Sequence, residues 1–338
     1  MMVAANVRDV AALARVSVGT VSNVLNSTKK VAPGTEKRVL EAIETLGFVR
    51  NDAARQLRVG QSRMVGMMVL DVGNPFFTDL ARGVEDTLAL SSRSLILGNS
   101  AEDAAREESY LHLFEEQRVA GLLITPVSRT TDRLERLRRR GTPVVLVDRF
   151  GGIGDFSSVS VDDRRGGQIA LQHLVDIGRV RPTFIGGSSA VVQVSERLHG
   201  AQSVLSEAGI APLRVIERPY MSADAGRDAA EELLALDPSE RPDSIFAAND
   251  LLALGVLQAL TRAGVRVPDD IAIIGYDDIY FAASAAVPLS SVRQPTRGMG
   301  KAAAELLTAE IDGTAGSEFQ HVVFEPELMA RESTRVPT

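Results

Sequence analysis

The chain has 338 residues, 45% of them hydrophobic and 24% charged, with a formal net charge of −7. That length predicts two or three domains of an ordinary soluble protein. The absence of Cys excludes disulfides, zinc–thiolate centres and thiol nucleophiles, and four scattered histidines do not compose a metal site.

No apolar run approaches the roughly 20 residues that span a bilayer, and the N-terminus lacks a signal peptide's apolar core. A cytoplasmic protein without membrane contact is expected. Charge is unevenly spread: residues 1–60 hold nine Lys or Arg against five Asp or Glu, a balance of +4 that leaves −11 for residues 61–338. A basic head on an acidic body predicts that the head meets a polyanion.

Val7, Val10, Ala11 and Ala14 lie at i, i+3, i+4 and i+7, one face of a first helix. Ser17 stands where an N-cap belongs, and Val18, Val21 and Leu25 mark the inward face of a second helix. A third begins near Pro33, turns Val39, Ala42, Ile43 and Leu46 inward and stops at Gly47. Three short helices with a tight turn between the first two predict a helix-turn-helix. The outward face of the second carries Gly19, Thr20, Ser22, Asn23 and Asn26, short groups suited to base edges and phosphates in a major groove.

"NDAARQLRVGQS" (residues 51–62) reads as a linker in which Asn51 caps a short helix and Ala53 and Ala54 allow close approach. Leu57 is a large apolar residue with little core to enter. From Met64 onward, strand-like runs alternate with helical ones: "MVGMMVL", a helix over 77–90, "SLIL", a helix over 104–117, "VAGLLIT", a helix over 132–139 and "PVVLVD". After "SSVSVDD" the rhythm restarts with helices over 166–177, 196–208, 223–236 and 250–263 between "PTFIGG", "LRVIE", "SIFAA" and "IAIIGYDD". Such alternation predicts two lobes of parallel sheet wrapped by helices, with a ligand cleft outside the carboxyl ends of the strands.

Phe76, Phe77, Tyr220, Tyr280 and Phe281 fall just after predicted strands, where aromatics suit stacking on a ring. Asp148, Arg197, Asn249 and Asp277 are polar anchors of the kind that hold vicinal hydroxyls or a carboxylate. Asp250 and Asp278 read as supporting or capping groups, and "RLRRR" (136–140) as a solvated helix end. No P-loop, HExxH or nucleophile elbow is present, and "GGIG" at 151–154 lacks the strand and helix of a dinucleotide fingerprint. Neither an enzyme nor a cofactor is expected.

The stretch "VRDVAALARVSVGTVSNVLN", followed by "VAPGTEKRVLEAIETLGFVRNDAARQLRVGQSRMVGMMVLDVGNPFF", closely resembles the LacI/GalR family of bacterial transcription repressors, and the similarity runs through nearly the whole chain. The resemblance implies an N-terminal three-helix helix-turn-helix DNA-binding domain (1–50), a hinge helix (51–62) and an α/β two-lobed periplasmic-binding-protein-like effector domain. Its N-terminal lobe would comprise 63–162 and 292–325, and its C-terminal lobe 163–291 and 326–338. The resemblance places Val18, Gly19 and Asn23 against bases, and Asn6, Ser17, Thr20, Asn26, Lys30 and Thr35 against the DNA backbone. It aligns Leu57 with a wedge that two paired hinge helices push into the minor groove. Arg197, Asn249 and Asp277, with Asp148 and Gln193, take effector-contact positions.

Three departures stand out. Arg15 replaces the usual turn Gly, at a cost of about 1 kcal/mol if its φ is positive. Arg50 replaces a frequent Pro, and Asn23 a frequent Arg, which predicts different bases in each half-site. The expected partners are near-palindromic double-stranded operator DNA, a second copy of the chain and a small-molecule effector, a sugar or sugar derivative. A purine-like corepressor, a phosphocarrier protein, or a sugar-binding protein without a DNA role are the alternatives. "RESTRVPT" at the end carries no leucine heptads, so a dimer rather than a tetramer is expected.

Overall fold

The computed structural model describes residues 5–26, 30–48, 62–127, 132–149 and 156–335. These fall into two units divided between Gln61 and Ser62. Asn51, Ala54 and Leu57 lie outside the described residues.

In the first unit, α1 (Val7–Ala14) starts at a reciprocal cap. Asn6 Oδ1 accepts from Arg8 N at 2.8 Å, while Asp9 Oδ2 accepts from Asn6 N at 2.8 Å. Arg15 ends the helix at φ 55°, in the left-handed region, and Val16 N closes the turn on Ala11 O at 3.0 Å. Ser17 Oγ accepts from Thr20 N at 3.1 Å and thereby starts α2 (Val18–Asn26). The third helix, α3 (Pro33–Leu46), has Pro33 in its first turn and Gly47 at φ +56° after its end. Val10, Ala11, Ala14, Val21, Val39 and Ala42 form the core. The spacing placed Val18 on the inward face, and the structure corrects this. Val18 is the first residue of α2, lies outside the packed core and is 43% exposed.

The second unit holds two six-stranded sheets. Sheet one contains β1 (Met64–Val69), β2 (Ser94–Asn99), β3 (Gly121–Ile124), β4 (Val144–Val147), β5 (Ser157–Val161) and β11 (His321–Phe324) in the order β11-β5-β4-β3-β1-β2. All its pairings are parallel. Its helices are α4 (Pro75–Ala89), α5 (Ala104–Glu116), α6 (Asp132–Arg139) and α12 (Thr296–Ile311). Sheet two contains β6 (Pro182–Gly186), β7 (Arg214–Glu217), β8 (Ser244–Ala247), β9 (Ala272–Asp277), β10 (Ser290–Arg293) and β12 (Glu327–Met329) in the order β12-β10-β9-β8-β6-β7. Here only β12 runs antiparallel, on β10. With it go α7 (Asp163–Asp176), α8 (Val192–Glu207), α9 (Ala223–Leu234), α10 (Asp250–Arg262) and the short α11 (Tyr280–Ser284). The chain crosses between sheets after β5, after β10 and between β11 and β12, so three strands of peptide join the lobes.

Near-continuous apolar strands such as "VVLV" and "SIFA" are buried on both faces, as helices on each side of a parallel sheet require. Several helices start earlier than the apolar spacing predicts. Asn74 Oδ1 accepts from Phe76 N at 3.0 Å and Asp162 Oδ1 from Arg165 N at 2.9 Å, so α4 and α7 begin at those caps rather than at the first apolar position. Helices α7 and α8 approach through glycine: a Cβ on Gly167 would stand 2.0 Å from the carbonyl oxygen of Arg197. That contact fixes the depth at which Arg197 enters the space between the lobes.

Candidate effector cleft and recognition helix

A cavity of about 290 Å³ lies at the carboxyl ends of the strands of both sheets. Asp148 directly follows β4, Asn249 follows β8 by one residue, Asp277 ends β9 and Gln294 follows β10. Gln193 and Arg197 stand at i and i+4 on α8, one face of one helix. Phe76 and Phe77, in the first turn of α4, contribute a buried edge-to-face pair with centroids 5.0 Å apart. Tyr220 closes the other side and stays 64% exposed.

Arg197 is the electrostatic centre. Its Nε donates to Asp163 Oδ1 at 2.7 Å and its Nη1 to Ala248 O at 2.7 Å, while its guanidinium lies 3.7 Å from the centre of the Tyr276 ring. Burial disfavours its charge. The facing Asp163, followed by Tyr276, Asp277 and Asp148, outweighs that and holds the guanidinium above its ordinary pKa. Both oxygens of Asp277 are occupied, Oδ2 by Asn74 Nδ2 at 3.0 Å and Oδ1 by Gln294 Nε2 at 2.8 Å. Gln193 Nε2 donates to the Asp148 carbonyl oxygen and, at 3.1 Å, to its Oδ2.

Burial raises the carboxyl pKa of Asp148 well above the usual range, with nearby Asp163 adding to it. Burial also raises Asp163 and Asp277, against the pull of Arg197. Asp148 and Asp277 have φ of 54° and 101°, and Ala101 and Glu102 have 50° and 58°. Backbone strain of this kind concentrates where side chains must be aimed at a ligand.

Phe281 is not among the residues that line the cavity, which corrects its expected place. In α11 successive residues turn by about 100°. Ala282 takes the buried position, which leaves Phe281 51% exposed against Tyr280 at 5.8 Å. Apolar spacing missed Asn74, Gln294 and Asp163. Asn74 was legible as a cap before Pro75, whereas Asp163 and Gln294 carry no local signal of their partners. Asp250 supports, as expected: it is buried and accepts from Ser291 Oγ at 2.7 Å and Ile279 N at 2.9 Å. Asp278 pairs with Arg293 and Arg331.

In the first unit, Val18 and Gly19 are exposed at the start of α2, Thr20, Ser22 and Asn23 are partly buried along it, and Asn26 closes it. Ser17 and Thr20 hydroxyls bond at 2.9 Å. Asn6 serves the cap of α1, Lys30 is exposed, and Thr35 lies in the first turn of α3. Among the described residues, no helix is long and apolar enough to cross a membrane, and no three His, Asp or Glu are grouped to hold a metal.

Residues 6–51 match the model of the bacterial regulatory proteins of the lacI family, and residues 171–334 match a periplasmic binding protein-like domain. The chain belongs to the LacI family. It is 34% identical over 336 residues to the HTH-type transcriptional repressor PurR of Aliivibrio fischeri (strain MJ11), covering 97% of this chain and 98% of the relative. It is 38% identical over 303 residues to the ribose operon repressor of Bacillus subtilis (strain 168), covering 90% of each. A solved complex of the transcriptional regulator CelR with cellobiose superposes with a TM-score of 0.73 at 33% identity, covering 97% of this chain and 99% of that one. This LacI-family chain is therefore a DNA-binding transcriptional repressor with a two-lobed α/β effector domain, and not an enzyme.

Proposed function

We propose that the repressor's effector is a sugar, seated between the lobes in the 290 Å³ cavity. The observation that carries this reading is the convergence of a buried guanidinium, two carboxylates and two amides with a wall of aromatic rings at the strand ends of both sheets. Asp148, Asp277, Asn249, Gln193 and Arg197 would bond ring hydroxyls, and Phe76, Phe77 and Tyr220 would cover the apolar faces of the ring. The ribose operon repressor among the relatives and the cellobiose in CelR support a sugar.

At the other end, Val18, Gly19, Ser22 and Asn23 meet base edges in the major groove, while Asn6, Ser17, Thr20, Asn26, Lys30 and Thr35 hold the phosphates. Residues 51–62 serve as the hinge, through which Asn51, Ala54 and Leu57 contact the minor groove of a near-palindromic operator. Two copies act together in the cytoplasm. Sugar occupancy shifts how the two lobes of each copy close and so changes operator affinity, a coupling of about 1–3 kcal/mol.

Fluorescence anisotropy with DNA from the gene's own upstream region tests this. Ribose, cellobiose, adenine and hypoxanthine are titrated in turn at physiological salt. The expected result is specific binding that at least one sugar changes about 5- to 150-fold. Equal affinity for scrambled DNA, or curves that no sugar moves while a purine does, overturns the sugar reading.

A further inference from the structure

Two residues that line the cavity keep a buried acceptor without a partner. Asp148 is 4% exposed and its Oδ1 has no partner; Gln294 is 3% exposed and its Oε1 has none. Both residues line the cavity, and a hydroxyl that reaches either oxygen satisfies it by donating hydrogen. Free hydroxyl groups donate; phosphate and carboxylate oxygens ionised at neutral pH do not.

The charges agree with the hydrogen bonds. Arg197 is the cation among the residues that line the cavity, and Asp163 already neutralises it at 2.7 Å. Asp71, Glu102, Asp148 and Asp277 line the same space. Glu102 also lines an adjoining pocket of about 420 Å³, together with Tyr220 and Gln193. Burial, then the charge of Asp71, raises the Glu102 carboxyl above its usual range. Asp71 in turn accepts from Gly73 N at 2.8 Å. The adjoining pocket does contain a cation, the buried Arg149.

We propose that this cleft reads the free, uncharged sugar and rejects its phosphorylated and carboxylated derivatives, with Asp71 and Glu102 repelling anions and the unfilled acceptors of Asp148 and Gln294 selecting hydroxyl donors. The inference rests on the sugar reading and sharpens it. It places the signal before the kinase reaction that would consume the sugar, so the repressor reports supply rather than the phosphorylated pool.

Calorimetric titration of the full-length protein with ribose, ribose 5-phosphate and ribonate tests it, in parallel with Asp71→Asn/Glu102→Gln. If cellobiose rather than ribose moves operator binding, cellobiose and its 6-phosphate replace them. The expected result is at least 100-fold weaker binding of both anions by the natural protein. Their affinity should rise about tenfold in the double variant, while the neutral sugar stays within about threefold. An anion that binds as tightly as the neutral sugar overturns the proposal, as does a rejection that neither the double variant nor added salt alters. In both of those cases a bound neutral sugar leaves the sugar reading standing. Failure of every sugar to bind removes both.

Discussion

The two units handle polarity in opposite ways. In the helix-turn-helix the functional face stays at the surface, with neutral short side chains preset by local caps: Ser17 on Thr20, Asn6 on Arg8. In the effector unit, charge is withdrawn from water: Arg197, Asp148, Asp163 and Asp277 are all 5% exposed or less. The first arrangement suits a ligand that brings its own dense charge and whose backbone is met by many weak, screened contacts. The second suits a small ligand, for which a few desolvated groups must supply the discrimination. The difference teaches where stability and function conflict. Substitution on the α2 surface should affect binding and leave folding nearly alone, whereas the cleft ties the two together.

The strongest test of that contrast is Arg197→Ala. It leaves Asp163 buried without its cation, with Asp148 and Asp277 nearby. Breaking a buried pair in this way costs about 3–5 kcal/mol. Urea unfolding of the effector unit should show that loss, together with loss of the proposed sugar response. A loss below about 1 kcal/mol would mean that the cleft charges are far more hydrated than their burial indicates.

Asp148→Asn should move in the other direction. The folded-state pKa of Asp148 is raised, by burial first and Asp163 second, so the folded chain binds this proton more tightly than the unfolded chain. Stability is then greatest below the ordinary carboxylate value near 4 and declines as pH rises from there through the raised folded value. Asn removes that decline. At pH 7.5 the variant should be about 0.5–2 kcal/mol more stable, as when a strained functional site is relaxed, and its response to sugar should vanish. Melting curves at pH 5 and 7.5 check it: the natural chain should lose more between them than the variant does.

This conflict also explains how far the sequence can be read. The lobes were legible because strands such as "VVLV" and helices such as that over 250–262 bury long apolar runs, and the polar anchors because they stand at strand ends. The short β10, β11 and β12 were not legible: "SSVR" holds one apolar residue in four, and "HVVF" is a four-residue edge strand none of whose residues is fully buried. Residues whose role depends on a partner far along the chain were equally hidden. Asn74 shows its cap in "NPFF", but its bond to Asp277 spans 203 positions, and Asp163 meets Arg197 across 34. Phe281 was misplaced because an aromatic after a strand does not reveal which side of the next helix turn it occupies.

The smallest expected effect lies in the first unit, at Arg15. Its φ of 55° is forced by the turn between α1 and α2, where Val16 N bonds Ala11 O. An L-residue with a Cβ is strained there by about 1–2 kcal/mol, and glycine is not. Glycine also gives the unfolded chain more freedom, which offsets part of that gain. Arg15→Gly should therefore stabilise the helix-turn-helix by about 0.5–1 kcal/mol, read as slower amide exchange at Val10, Ala14 and Val21. Arg15 is exposed and caps α1 through its backbone alone, so the substitution touches no core residue. Operator affinity at high salt should hold, while at low salt the loss of one positive charge should weaken it slightly. If exchange is unchanged and affinity falls equally at both salts, Arg15 contacts DNA directly, and the division between preset surface and buried cleft does not extend to the turn.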